Sequence, residues 1–175
     1  MRAFIASAGS ASLEEEVTGL FEENRSPLFR YLLSFGLGVQ DSEEIVQEVF
    51  LALFRHLKDG KPRDNLRGWI FRVGHNQALK LRGRVAARAS QRIDDIVETL
   101  PDLQPNPEQQ ALSNQRQRRL RAVVRALPEQ DRACLSLRAE GFRYREISEI
   151  LGISLGAVAL SLEQSLAKLS CVGNR

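Results

Sequence analysis

The 175-residue chain contains only two cysteines and two histidines. Cys134 and Cys171 lie far apart and form no CxxC pair, which argues against a disulfide or a cysteine metal site. His56 and His75 have no Cys or His partner at ligand spacing. The sequence also lacks a glycine-rich phosphate loop and a Ser/His/Asp constellation. No metal, no cofactor and no catalytic residue is therefore expected, and the chain does not read as an enzyme. No apolar run approaches the roughly 20 residues needed to span a bilayer. The opening MRAFIASAGSAS has one Arg and a very short apolar patch, too weak for a signal peptide. It reads as a frayed terminus, and the chain as cytoplasmic, with no membrane insertion. Period-two alternation is missing too, so no strand is expected, and there is no internal repeat.

What is present is charge in blocks. The net charge is only +3, but residues 1–60 carry a balance of −5. Residues 61–92 carry nine bases (Lys61, Arg63, Arg67, Arg72, Lys80, Arg82, Arg84, Arg88, Arg92) against Asp64, a balance of +8. Residues 93–115 carry five acids and no base, and residues 116–140 return to +4. A basic block beside an acidic one points to a polyanion on one surface and a protein partner on another.

Apolar spacing of three and four residues predicts helices almost throughout. One is expected over 13–23 and another over 27–35, with a break at Ser26–Pro27. Asp41 and Glu44 resemble a capping box that opens a helix over about 42–58. A loop with Gly60 and Pro62 precedes a helix from about Leu66 to Arg84 or Arg88. Residues 89–106 are acidic and punctuated by Pro101 and Pro105, as in a linker. Helix resumes near Pro107, and Pro128 starts the next one, which ends near Glu140 and Gly141. The fold class is all-α: two small helical domains joined by a flexible linker, with boundaries 12–88, 89–106 and 107–172.

Three stretches carry functional chemistry. On the acidic helix, Ile45, Val49, Ala52 and Leu53 fall on a core stripe, while Glu44, Gln47, Glu48 and Leu51 face elsewhere, as on a protein-binding face. On the basic helix, Trp69, Phe71 and His75 supply flat rings and Arg67, Arg72, Lys80, Arg82 and Arg84 supply charge. That combination suits unpaired nucleic acid, where stacking contributes roughly 1–3 kcal/mol per base. Trp69 and Phe71 sit two residues apart on a helix, so both cannot be exposed, and Phe71 is the expected core ring. The third stretch, YREISEILGISLGAV from Tyr144, looks like a helix-turn-helix. Ile147, Ile150 and Leu151 give its first helix an apolar face. Gly152 ends that helix, Ile153 plugs the corner and Ser154 caps the second helix. Val158, Leu162 and Leu169 form the buried stripe of the second helix.

In order, DSEEIVQEVFLALFRHL, NLRGWIFRVGHNQALKLRGR and ALPEQDRACLSLRAEGFRYREISEILGISLGAV resemble regions 2.2, 2.3–2.4 and 4 of bacterial RNA polymerase sigma factors of the extracytoplasmic-function type. The resemblance covers about residues 18–88 and 107–170. It implies a transcription initiation factor whose partners are core RNA polymerase and promoter DNA, with an anti-sigma factor as a further candidate. It implies that Glu44, Gln47, Glu48 and Leu51 grip the polymerase clamp coiled coil. It implies that Arg63 and Asn65 in the preceding loop, with Arg67, Trp69, Arg72, Asn76, Lys80, Arg82 and Arg84, hold the melted −10 element, Asn76 reading a base edge. Lys80 stands where the family commonly has an Asp.

Region 4 departs further from the family. Its −35 positions would be Arg143, Arg145, Ser154, Ala157, Ser161 and Gln164. From Leu155 to Leu169 the only charged residues are Glu163 and Lys168. A helix that reads a major groove usually offers several Arg, Lys, Asn or Gln. Weakened −35 reading is expected, and the alternative is a sigma-like regulator whose region 4 binds a protein instead of DNA.

Overall fold

The computed structural model describes residues 2–89 and 119–173. In chain order the helices are α1 (Arg2–Ser34), α2 (Val39–Lys58), α3 (Leu66–Ala89), α4 (described over 119–126), α5 (Glu129–Ala139), α6 (Tyr144–Leu151) and α7 (Leu155–Gly173). No strand occurs among the described residues. The all-α class holds, and the chain divides into two compact units. One contains α1–α3; the other contains α4, α5, α7 and Tyr144–Ser148 of α6. Of the expected linker over 89–106, all but Ala89 lies outside the described residues, as does the expected helix start at Pro107. Among the described residues no single helix is long and apolar enough to cross a membrane.

The first unit closes around Leu28, Tyr31, Leu32 and Phe35 of α1, Ile45, Val49 and Leu53 of α2, and Ile70, Phe71 and Ala78 of α3, all buried. Burying each large side chain of this kind contributes roughly 1.5–3 kcal/mol. Gly74 sets the closest approach of the three helices. A Cβ there would lie 2.9 Å from Leu28 Cδ1 and 3.7 Å from Val49 Cγ2, so a larger side chain would push α3 off α1 and α2.

The helix α1 is assigned from Arg2. Two local expectations are corrected. The break at Ser26–Pro27 is absent, and α1 runs through Pro27. A proline inside a helix costs ~3 kcal/mol, but here both flanks are anchored. Phe21 packs edge-on against Phe50 of α2 at 4.9 Å, and Leu28, Tyr31 and Leu32 are core. Asp41 is not a cap either. The α2 N-cap is Gly38, with no side-chain cap bond, and Asp41 sits inside the first turn. A carboxylate there still complements the positive end of the helix dipole.

In the second unit, Leu127, Ala133, Cys134, Leu137, Phe142, Ile147, Val158 and Leu162 are buried. Gly152 adopts φ +67, the left-handed geometry that terminates α6. Ser154 caps α7 as expected, its hydroxyl accepting from the Ala157 N–H at 3.1 Å. Leu169, expected in the buried stripe, is half-buried. Burial pushes the Cys134 thiol above its ordinary pKa. The Asp131 carboxylate adds to that shift and a hydrogen bond with Ser161 opposes it, so Cys134 is a protonated core thiol.

Candidate nucleic-acid interface

The α2 helix separates two faces cleanly. Ile45, Val46, Val49, Phe50 and Leu53 are buried, while Glu44, Gln47, Glu48 and Leu51 are all exposed. Those four recur at intervals of three and four residues, which puts them in one row along the helix. Leu51 is 57% exposed. The row therefore offers two carboxylates, an amide and an apolar side chain, a surface suited to a basic helix with an apolar contact.

The α3 helix presents a second row. Trp69, Arg72, Asn76, Lys80 and Arg84 also recur at three- and four-residue steps, and all but Trp69 are exposed. Trp69 is half-buried, its ring 4.8 Å from that of His56. His56 is anchored in turn to the Pro62 carbonyl at 2.8 Å, which ties the loop after α2 to the start of α3. The row supplies one ring, one amide and three cations, the ingredients of a single-strand surface. Arg67 is exposed but lies off this row, nearly opposite Trp69 on the helix.

Four expected members of the basic site have structural employment. Asn65 caps α3: its side-chain oxygen accepts from the Gly68 N–H at 3.0 Å, and its backbone takes φ +50. Arg63 pairs with Glu16 of α1. Arg82 is half-buried, donates to the Phe35 carbonyl at 3.1 Å and lies over the Phe35 ring at 5.1 Å. His75 is not a stacking ring but a core residue, hydrogen-bonded through Nδ1 to the Tyr31 hydroxyl at 2.7 Å. Phe71 is core, as expected. The pairings made by Glu16, Tyr31 and Phe35 are not legible in the sequence because their partners lie more than forty residues away, beyond any local spacing rule.

On α7 the inward stripe of Val158 and Leu162 is buried, but so is Ser161, at 4% exposure. Its hydroxyl donates to Asp131 Oδ1 at 2.7 Å, and Gln130 Nε2 approaches it at 3.4 Å. Ser161 is thus a fastener between α5 and α7 and does not belong to an outward reading face. The outward residues are Leu160, Glu163, Gln164 and Ala167, all exposed. Leu155, Leu160 and Leu166 are 52%, 54% and 56% exposed. Ala157 is half-buried, and Arg143 and Arg145 are exposed at the start of α6. The Arg143 N–H donates to Glu146 Oε2 at 2.7 Å, which closes the first turn of α6.

Residues 20–89 match the Sigma-70 region 2 family, and residues 117–169 match the Sigma-70 region 4 family. The chain is 30% identical to the RNA polymerase sigma factor CnrH of Cupriavidus metallidurans, over 79% of this chain and 76% of that one. It is 28% identical to the ECF RNA polymerase sigma factor SigE of Mycolicibacterium smegmatis, over 86% of this chain but only 58% of the relative's length. Its fold is similar to that of CnrH solved with the cytosolic domain of CnrY, with a TM-score of 0.64 at 24% identity, covering 98% of this chain and 96% of that chain. It is also similar to the Bartonella quintana sigma factor RpoE solved with the anti-sigma factor NepR. There the TM-score is 0.67 at 16% identity, covering 91% of this chain and 98% of that chain.

Proposed function

The chain belongs to the sigma-70 family of RNA polymerase sigma factors, of the extracytoplasmic-function type, and we propose that residues 12–88 serve as its region 2 and residues 107–172 as its region 4. In this reading the protein has no catalysis of its own and works in the cytoplasm. It recruits core polymerase through the Glu44–Gln47–Glu48–Leu51 row and helps melt the −10 element. The unpaired strand lies along Trp69, Arg72, Asn76, Lys80 and Arg84. Trp69 offers its free edge to a base, Asn76 pairs its amide with a base edge, and the three cations neutralise phosphates. Arg67 adds a further cation near the loop. The observation that carries the reading is the alignment of these five side chains on one exposed face of α3.

Region 4 contributes less to promoter choice. Arg143 and Arg145 make backbone contacts, Ser154 and Ala157 lie at the start of α7, and Gln164 is the one outward amide on that helix. Initiation would then depend on the −10 element far more than on the −35 element. A second reading rests on exposed Leu155, Leu160 and Leu166: region 4 docks a protein. An anti-sigma factor is the candidate, since the RpoE relative was solved with one.

In vitro transcription with core polymerase on a library of promoters randomised at either element tests both readings. The expected result is initiation with strong selection at −10 and weak selection at −35. Failure to initiate on any template would leave only the regulator reading.

A further inference from the structure

The residue that precedes Asn76 is His75, buried and bonded to the Tyr31 hydroxyl at 2.7 Å. Its ring also meets the Phe35 ring edge-on at 5.2 Å. Two turns further along α3, Arg82 donates to the Phe35 carbonyl and covers the Phe35 ring. These two polar attachments of α3 end on one short segment at the C-terminal end of α1. Between and around them the face packs apolar groups: Ile70, Phe71 and Ala78 are buried, and Gly74 lies close to Leu28 and Val49.

Apolar packing is non-directional, so it holds a helix close while fixing its rotation about its own axis only weakly. Hydrogen bonds weaken steeply with angle and do fix that rotation. A base edge is read only when an amide is placed to within a few tenths of an ångström. A cation beside a phosphate tolerates far more displacement.

We infer that His75 and Arg82 are positioning residues for −10 recognition: they lock the rotation of α3 against Tyr31 and Phe35, so that Asn76 faces the unpaired base. This rests on the proposal that the α3 row holds the −10 strand. Its consequence is a separation of specificity from affinity. Weakening the lock lowers discrimination between sequences, while the exposed cations Arg72, Lys80 and Arg84 still hold any single strand.

The test uses reconstituted holoenzyme and a pool of randomised single-stranded DNA, from which the wild type enriches a preferred strand. Tyr31→Phe removes one hydroxyl and keeps the ring. It should leave affinity for a scrambled strand within about twofold and cut preference for the enriched strand by about tenfold. His75→Leu should do the same. His75→Asn, whose amide reaches the Nδ1 position, should restore the preference. Arg82→Ala should lower preference with no change in salt slope, whereas a phosphate-contacting arginine would take about one unit from that slope. Should His75→Leu fail to fold, the Tyr31→Phe result decides. Undiminished preference in Tyr31→Phe, or equal loss on both strands, overturns the inference while leaving the α3 assignment standing. A wild type that enriches no strand removes the assignment itself.

Discussion

The outward faces of α3 and α7 differ in what an otherwise similar helix offers. Both helices bury an apolar stripe, Ile70, Phe71 and Ala78 on one and Val158 and Leu162 on the other. Away from that stripe, α3 shows Arg72, Asn76, Lys80 and Arg84 beside a half-exposed Trp69, whereas α7 shows Leu160, Glu163, Gln164 and Ala167. Each unit keeps its fold through its inward residues. The four outward residues of α7 include no cation to supply the counterion-release part of DNA affinity. The helix-turn-helix corner is thus held by residues other than those on its outward face.

The first unit's dependence on charge can be broken outright. Reversing Glu44 and Glu48 to Lys should weaken core polymerase binding by at least about a thousandfold, since like-charge juxtaposition costs several kcal/mol. Circular dichroism should be unchanged, because both carboxylates are exposed. Retained co-purification would remove the docking role from α2.

Inward and outward positions of α7 should separate next. Leu162→Ala should cost about 2–5 kcal/mol in a denaturant melt, whereas Leu160→Ala should stay within about 0.5 kcal/mol. Equal costs would mean that Leu160 is covered by something the outward assignment overlooks.

Ser161→Ala sits between these extremes. It deprives buried Asp131 of a donor and should destabilise the second unit by about 1–3 kcal/mol without altering duplex affinity. An effect on DNA binding at constant stability would return Ser161 to the reading face.

Base reading should distinguish the two amides. Asn76→Ala should erase ~1–3 kcal/mol of discrimination in a strand-binding assay, and Gln164→Ala should leave −35 selection almost unaltered. Comparable losses at the two elements would dissolve the contrast between the faces.

The smallest effect restores what α7 lacks. Glu163→Arg should steepen the salt dependence of duplex binding by about one unit. A flat response would show that this face does not approach phosphates.

Much of this was legible locally. The periodicity of α2 predicted its exposed row and its buried stripe except for Ala52, which is half-buried, because one helix turn suffices to sort them. Gly152 and Ser154 declared the helix-turn-helix corner through their own conformational and hydrogen-bonding preferences. The misplaced residues were polar ones whose partners are distant in sequence. His75 and Arg82 read as nucleic-acid groups until Tyr31 and Phe35 were found beneath them. Ser161 read as a base contact until Asp131 was found facing it. Pro27 read as a break because its helical neighbours gave no sign that both flanks would be pinned.

The sequence by itself determined the helical class, most of the inward stripes of α2 and α7 and the contrast in charge between α3 and α7, since each depends on residues within a few turns of one another. The tertiary structure alone decided which polar side chains remained for a partner. A hydroxyl, imidazole or guanidinium has the same composition whether it faces water or a buried acceptor. Only the packing of α1 against α3, and of α5 against α7, gave His75, Arg82 and Ser161 partners inside the fold, where leaving them unpaired would have cost more than the contacts they could make outside.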